Sequence, residues 1–421
     1  MAIWILLSAL ARLEPVVSSE LHEDGRAQGR SLASSYPSPA LVRYLNGETN
    51  YEECFQAVTE EERLVLRSPV KVAVVGCGRH SRSALQPNLA RLPSFDLVGV
   101  CDTDQSVVSD CARRFGARAE YLDAGRMLDE CRPEAVVVVG TPQMHYDIGL
   151  EVAASGANVF VEKPPAPDSV RAGQLAECAL ASGSAGMVGT MLRHTTAVRL
   201  VRDLIDGGDF GDCLFFSGRL SAPGPTSDDY YRLGSAPQAY LGAQAIHLLD
   251  CMRFLMGDTR EISARLGVAG DAFSFAVNFD FLNGAVGTLS LATHTRALEM
   301  EIVVGGSGGQ VAIATNANHL RVLGSPVFRN SLGGYVDVPS KGWDQGYTYA
   351  GTLRHGYLEE LHSFAVSTRS MIPIGPTLSD GVVALQMCEA IWDSCNSRKP
   401  VYLASPQSLK VADETSLGRE G

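Results

Sequence analysis

The stretch of residues 70–102 constrains the fold of this chain more than any other part of the sequence. Val70–Val75 is apolar except for Lys71, and it ends in the turn sequence GCGRHS, which a helix-like segment and a second apolar run follow. Gly76 and Gly78 leave space in this turn, so a phosphate group can approach free backbone N–H groups at the start of the helix. This order of strand, glycine turn, helix and strand predicts a dinucleotide-binding unit. The alternative is a glycine turn in another kind of α/β protein, since Ser81 replaces the third glycine of the usual pattern.

Asp102 ends the second predicted strand, 24 residues after Gly78. At this place a carboxylate accepts hydrogen bonds from the hydroxyls of an adenosine ribose and repels a 2′-phosphate. The sequence therefore favours NAD as the cofactor and leaves NADP open.

Composition narrows the class of protein. The chain has 421 residues, enough for two domains, and with 45% hydrophobic and 19% charged residues it resembles an ordinary globular protein. Its 35 basic and 47 acidic residues give a net charge of -12, and no run of Lys and Arg offers a surface for nucleic acid. No apolar run reaches the length of a membrane span, so neither nucleic acid nor a membrane is an expected partner.

The cysteines indicate the compartment. The ten cysteines are scattered, without a CxxC pair or histidines at zinc-ligand spacing, so we expect reduced thiols, a cytoplasmic protein and no metal. Residues 1–11 have the apolar core of a short signal peptide but no preceding Lys or Arg, which leaves export as the alternative to an amphipathic helix.

Segment patterns predict an α/β fold in four parts. Residues 1–68 form a partly helical extension, residues 69–194 a Rossmann domain of alternating strands and helices, and residues 405–421 a polar tail. Residues 195–404 contain strand-like runs separated by Asn283-Gly284 and a glycine-rich turn, which predicts a C-terminal α/β domain with an open, mainly antiparallel sheet. Gly76, Asp102, Thr141 and Lys163 each follow a predicted parallel strand, where ligands gather in such folds.

Several motifs in this order resemble the glucose-fructose oxidoreductase / inositol dehydrogenase / MocA (Gfo/Idh/MocA) family. They are the GCGR turn, Asp102, TPxxH at residues 141–145, EKP at 162–164 and AIHLLD at 245–250. The resemblance covers residues 70–403. It implies an NAD(P)-dependent dehydrogenase or reductase that transfers a hydride between nicotinamide and a secondary alcohol or ketone of a small sugar-like or polyhydroxylated substrate. It also implies a homodimer or homotetramer formed through the C-terminal sheet.

The resemblance also implies roles for individual residues. Lys163 and His247 would be catalytic, and Arg193, Tyr231 and His247 would contact substrate. The cofactor would be bound by Gly76, Cys77, Gly78, Arg79, His80, Asp102, Thr141, Pro142, His145, Glu162 and Lys163.

The chemistry of two of these residues fits the implied reaction. The Lys163 ammonium group can stabilise an alkoxide, and the imidazole of His247 titrates near neutral pH and suits proton exchange. Asp250, three residues later on the same helical face, could orient the imidazole. The alternatives are a surface lysine, a buried structural histidine and, for Arg193, an ion pair between domains.

One position departs from the family pattern. The family usually has an aspartate four residues before this histidine, where the present chain has Ala243. Losing one acid/base partner typically costs about 10²–10⁴-fold in rate, so the reaction would be slowed rather than abolished. The residues that could compensate are Tyr230, Tyr231, Tyr240 and Gln244, and a substrate lid could include Trp343, Tyr347, Tyr349 and His355.

Two other functions stay open at this stage. An NAD-dependent glycoside hydrolase would use the same hydride chemistry transiently, and Ala243 is also compatible with a nucleotide-binding regulator or partner subunit of impaired activity.

Overall fold

The computed structural model describes residues 68–224, 234–293, 295–324, 341–344 and 356–403. The predicted N-terminal extension, except for its last residue, and the predicted polar tail lie outside these ranges.

The N-terminal part is built on a six-stranded parallel sheet. Its apolar runs are buried on both faces, which is typical of a parallel sheet covered by helices. The strands are β1 Val70–Val75, β2 Phe95–Cys101, β3 Glu120–Tyr121, β4 Ala135–Val138, β5 Asn158–Glu162 and β6 Gly186–Gly189. Their spatial order is β3-β2-β1-β4-β5-β6, which is the Rossmann order and confirms the predicted doubly wound fold.

Helices follow the strands, and the sequence specifies where most of them begin. Side chains of Asp104, Asp123, Thr141 and Asp168 each accept a hydrogen bond from a backbone N–H of the first turn that follows. The helical segments are the π-helical turn Ser81–Leu85 with Gln86–Leu89, then Gln105–Phe115, Ala124–Cys131, Pro142–Ala154 and Ser169–Ala181.

The C-terminal part contains a nine-stranded sheet with one face packed on the core. Its strands are β7 Cys213–Ser221, β8 Thr259–Ala269, β9 Ala272–Phe281, β10 Val286–Ala292, β11 Glu299–Gly306, β12 Val311–Thr315, β13 His319–Leu323, β14 Lys341–Asp344 and β15 Val401–Tyr402. The order is β14-β13-β12-β11-β7-β10-β9-β8-β15, and all neighbours are antiparallel except β7 and β10. The hairpin predicted at Asn283-Gly284 joins β9 to β10.

Helices of the C-terminal part pack against both sheets. They are the short 3-10 turn Met191–His194, then Thr196–Asp206, Ala236–Tyr240, the π-helical turn Leu241–Ala245, Ile246–Met256, Tyr357–Ser370 and Leu378–Ser397. Tyr357, Leu361 and Phe364 share a hydrophobic core with Val70 and Phe160 of the parallel sheet. This late helix therefore covers the parallel sheet, although it comes from the C-terminal part of the sequence.

Some elements were not predicted from the sequence patterns. Strand β8 was not predicted, because its buried positions include Thr259 and Ala264 and its C-terminal end is exposed, which weakens the hydrophobic alternation. The helix that carries the AIHLLD motif, Ile246–Met256, is preceded by Ala236–Tyr240 and a π-helical turn. In the described ranges no helix combines the length and apolar character needed to cross a bilayer.

Candidate active site

The glycine turn after β1 needs glycine at its first position. Gly76 has φ +94, and a Cβ there would lie 1.9 Å from the backbone oxygen of Val139, so the ends of β1 and β4 approach too closely for a side chain. A Cβ on Gly78 would meet no atom within 4 Å, so this residue borders open space. The turn therefore presents bare backbone at the start of a helix, as the sequence predicted.

Asp102 lies beside this turn, at the end of β2. Its Oδ2 accepts a hydrogen bond of 2.7 Å from the backbone N–H of Cys77, and its Oδ1 accepts one of 3.3 Å from the N–H of Asp104. The carboxylate is thus fixed next to the glycine turn and remains partly accessible. That position suits contact with a ribose.

A groove of about 430 Å³ opens at the carboxyl ends of the parallel strands. It is lined by Gly78, Arg79, His80, Ser81, Ser83, Val139, Gly140, Thr141, His145, Glu162 and Lys163. Most of the predicted cofactor residues line it, and the others, Gly76, Cys77, Asp102 and Pro142, are sequence neighbours or hydrogen-bond partners of the turns that form it.

His145 holds two of these loops together. Its Nε2 accepts a hydrogen bond of 2.8 Å from the backbone N–H of Gly140, so Nδ1 carries the proton and donates to the carbonyl of Pro164, also at 2.8 Å. The ring is 1% exposed, and burial lowers the pKa of His145 to about 4. Both ring nitrogens are used by backbone groups, so the neutral ring positions the groove wall.

Glu162 is the buried anion of the site. Its Oε1 lies 3.2 Å from Nε2 of His80, and its Oε2 accepts a bond of 3.1 Å from the N–H of Lys163. Burial alone would raise the pKa of Glu162, but His80 and the nearby Lys163 and His247 hold it at about 2. Glu162 therefore stays ionised near neutral pH.

Lys163 connects the groove to the helix that carries His247. Its Nζ donates a hydrogen bond of 3.0 Å to the backbone carbonyl of Ala243, one helical turn before His247. Ala243 lies in the π-helical turn Leu241–Ala245, an irregularity that often accompanies functional sites. The structure thus places Lys163 in the groove and ties it by one hydrogen bond to the helical turn that precedes His247.

His247 is uncharged near neutral pH. Burial and the charge of Lys163 lower the pKa of His247 well below its usual range, while Glu162 opposes them. Its Nδ1 is buried and has no hydrogen-bond partner within the described part of the chain.

Arg193 and Asp250 form a buried ion pair with each other. Nε and Nη2 of Arg193 donate bonds of 2.6 Å to the two carboxylate oxygens of Asp250, and Oγ1 of Thr190 donates another of 2.9 Å. Asp380 lies 3.5 Å from Arg193 and pairs with Arg253 as well. These contacts favour the ion-pair alternative for Arg193, and they give Asp250 partners other than His247.

The residues proposed to compensate for Ala243 have different surroundings. Tyr240 is fully buried, and its hydroxyl donates to backbone carbonyls of Leu220 and Ala292 at 3.4 and 3.3 Å, so it is structural. Gln244 has a buried Oε1 without a partner among the described residues. The other predicted compensating and lid residues lie outside the described residues or side chains: Tyr230, Tyr231, Trp343, Tyr347, Tyr349 and His355.

Two residues near the site were missed by the sequence analysis. The ring of Tyr357 packs edge-on against His80 with 5.8 Å between centroids, and Glu360, one turn later, is completely buried. The sequence does contain a signal for Glu360: it lies three residues after Tyr357 and four before Phe364, which puts an acidic residue on the apolar face of a helix.

The residues present fit a bound dinucleotide. The open space at Gly78 admits a pyrophosphate at the helix start, the Asp102 carboxylate stands where a ribose would lie, and Thr141, Glu162 and Lys163 surround the far end of the groove. In the described residues no group of three His, Cys, Asp or Glu side chains is arranged to hold a metal ion.

Fold and groove define a two-domain protein with a Rossmann-type dinucleotide site. The family profile for the NAD-binding Rossmann fold of the Gfo/Idh/MocA oxidoreductases matches residues 70–190, and that for their C-terminal alpha/beta domain matches residues 202–403. The chain belongs to the Gfo/Idh/MocA family, as the sequence motifs predicted.

Individual relatives agree with this assignment. Myo-inositol 2-dehydrogenase of Thermotoga maritima is 23% identical over 346 residues, which cover 79% of this chain and 98% of that protein. The crystal structure of a dehydrogenase from Chromobacterium violaceum superimposes with a TM-score of 0.73 at 25% identity, covering 83% of this chain and 99% of the other. Levoglucosan dehydrogenase in complex with NADH shares the fold, with a TM-score of 0.72 at 19% identity and coverage of 80% and 100%.

Proposed function

We propose that this protein is an NAD-dependent dehydrogenase that interconverts a secondary alcohol and a ketone in a sugar-like or polyhydroxylated substrate. The observation that carries the proposal is the placement of Lys163, which lines the groove and donates to the carbonyl of Ala243 on the His247 helix. The family relatives that act on myo-inositol and levoglucosan support the substrate class.

Lys163 and His247 have different roles at the substrate oxygen. Bound NAD would accept or return the hydride at the substrate carbon. Lys163, as an ammonium ion, stabilises the negative charge that develops on the oxygen. His247, neutral near pH 7, accepts the hydroxyl proton during oxidation and returns it during reduction.

Groups around the groove keep these two residues in place. His145 fixes the loop that follows Lys163 through its bond to Pro164, and ionised Glu162 favours the charged form of Lys163. Asp102 supports NAD over NADP, because its carboxylate would repel a 2′-phosphate.

The test combines turnover with cofactor binding. Purified protein is supplied with NAD and a panel of cyclitols and sugars, and NADH formation is followed by absorbance. We expect net NADH formation with at least one polyol, a loss of about 10²–10⁴-fold in turnover in Lys163→Ala, and nearly unchanged NADH affinity in that variant. Lys399→Ala, at an exposed lysine, is the matched control.

Unchanged turnover in Lys163→Ala would contradict the proposed role. Product release without net NADH would instead indicate the glycoside hydrolase, and NADH binding without any turnover would indicate the regulator.

We also propose a homodimer or homotetramer formed through the open face of the C-terminal sheet. That face carries exposed small and polar residues such as Ser217, Asn278 and Thr288 together with the half-exposed Val286. Light scattering during gel filtration measures the assembly, and charged substitutions at Thr288 should dissociate it. A cytoplasmic location, supported by the scattered cysteines, is tested by fractionation of cells.

A further inference from the structure

The carboxyl group of Glu360 is the least explained polar group near the site. Glu360 is 0% exposed, and neither carboxyl oxygen has a hydrogen-bond partner among the described residues. A buried carboxyl without a partner is costly, so such a group is retained mainly where it interacts with a nearby charge.

The helix Tyr357–Ser370 fixes where Glu360 lies. Tyr357, three residues before Glu360, contacts the ring of His80, and Phe364, four residues after it, packs against Phe160 of β5 with 5.6 Å between centroids. Residues at these spacings share one face of a helix. Glu360 therefore lies on the face directed at β5, the strand that ends in Glu162 and precedes Lys163.

The opposite end of this helix is also fixed to the parallel sheet. Arg369 donates bonds of 2.5 Å to Oε1 of Glu134 and 2.6 Å to the carbonyl of Pro69. The helix is thus held at both ends, and the position of Glu360 relative to the groove is set by the fold.

Four charged groups act on Glu360 from the surrounding elements: Glu162 and Lys163 at the end of β5, Asp250 on the Ile246–Met256 helix, and Glu359 on its own helix. Glu162 is already bonded to His80, and Asp250 to Arg193. Lys163 is the cation of this group. Burial lowers the pKa of Lys163, and the negative charges of Glu162 and Glu360 both raise it.

The two carboxyl groups that act on Lys163 have opposite pKa shifts. The pKa of Glu162 is about 2, whereas burial and the charges of Glu162 and Asp250 raise the pKa of Glu360 well above its usual range. Glu162 is therefore ionised near neutral pH, and Glu360 ionises at a higher pH than Glu162. Two nearby carboxyls whose pKa values are pushed apart are typical of an acid/base site.

We propose that Glu360 is a positioning residue that acts through Lys163, as the buried counter-ion that preserves the charge of the Lys163 ammonium group at alkaline pH. Position 243 has only a methyl side chain and offers Lys163 a backbone carbonyl, which cannot supply a full negative charge. Glu360 supplies that charge from a different helix. The importance of this effect for catalysis rests on the proposed function, but the interaction itself does not.

The experiment measures the protonation of Lys163 in the protein without substrate or cofactor. Trace acetylation by acetic anhydride labels only the neutral amine, and mass spectrometry of the peptide that contains Lys163 gives its extent at each pH. Glu360→Gln keeps the shape of the side chain and removes its charge. We expect Lys163 to titrate about one pH unit lower in this variant, with about tenfold more labelling at a fixed alkaline pH that lies below both midpoints of Lys163 and at which Glu360 is ionised in the wild type.

Two further variants separate charge from packing. Glu359→Gln makes the same change one residue away, at a side chain that interacts with Arg199, and should leave the titration of Lys163 unchanged. Glu360→Asp retains a carboxylate and should keep the wild-type midpoint more closely than Glu360→Gln does. It also provides the comparison if the glutamine variant does not fold.

An unchanged midpoint for Lys163 in Glu360→Gln, or an equal shift in Glu359→Gln, would overturn the proposal. If the protein turned out not to oxidise polyols, the labelling result would still stand, so the two failures are distinguishable. For an active enzyme, the alkaline limb of kcat/KM should move to lower pH in Glu360→Gln with the same displacement.

Discussion

Replacing Arg193 tests whether this residue serves stability or substrate binding. Its side chain is 10% exposed, and it donates two bonds of 2.6 Å to Asp250, whose side chain is 0% exposed. Arg193→Met would keep most of the apolar contacts and leave the carboxylate of Asp250 with Thr190 as its remaining hydrogen-bond donor.

The expected cost follows from this burial. Removing one member of a buried ion pair typically destabilises a protein by about 3–5 kcal/mol, because the remaining charge stays desolvated. Natural proteins are stable by only about 5–15 kcal/mol, so the loss should be large and easily measured. Asp250 should then bind a proton more readily, since the Arg193 charge no longer opposes the effect of burial on its pKa.

The assay is urea unfolding of the wild type, Arg193→Met and the double variant Arg193→Met with Asp250→Asn. The double variant removes the unpaired charge and should recover a large part of the lost stability. Arg126→Ala is the control, because Arg126 and Glu130 form an exposed pair whose loss should cost at most about 1 kcal/mol.

Two results would refute this reasoning. One is a stability of Arg193→Met within about 1 kcal/mol of the wild type. The other is a raised KM for substrate at unchanged stability, which would indicate that Arg193 binds substrate.

Three further predictions concern the groove. Gly76→Ala should destabilise the fold and weaken NADH binding at least about tenfold, because its Cβ would overlap the Val139 oxygen. Gly78→Ala should weaken NADH binding without loss of stability, because its Cβ would meet no protein atom. An equal loss of stability in both variants would contradict the geometry. Burial holds the pKa of His145 at about 4, below the 6.5 of an accessible histidine, so the folded state binds fewer protons between these values and loses stability as the pH falls from 6.5 to 4. His145→Gln should remove up to about 2 kcal/mol of this pH dependence, measured by urea unfolding at pH 7 and pH 5, and an unaltered dependence would argue against it. Asp102→Ser should lower the ratio of NADH to NADPH affinity by about tenfold or more in calorimetric titrations, and a constant ratio would remove Asp102 as the selector.

The sequence predicts the fold well where local patterns are complete. Ala135–Val138 is a continuous apolar run bounded by turns, and Val70–Val75 is interrupted only by Lys71. Asp104 and Asp168 stand at the helix starts that they cap. Strand β8 lacks such a pattern and forms because β9 pairs with most of its length. Its existence is therefore a tertiary effect that the local sequence does not encode.

In the site, too, local motifs could be predicted from the sequence and contacts between different elements could not. The glycine turn, Asp102 and the EKP motif predict the groove because their chemistry is local to strand ends. The ion pair of Arg193 with Asp250 joins residues on different elements, and the ring of His145 bonds to the loops that follow two different strands, so their roles needed the structure. Glu360 was missed because its significance depends on Lys163, which lies on another element nearly 200 residues earlier.

The measurement that tests the central claim most directly is a calorimetric titration of the purified wild-type protein with NADH and, separately, with NADPH. The groove at Gly78 and the carboxylate of Asp102 predict saturable binding of both, or of NADH alone, with NADH the tighter ligand. Failure of both nucleotides to bind at millimolar concentration would contradict the assignment of the groove as a functional cofactor site, and tighter binding of NADPH would contradict the role given to Asp102.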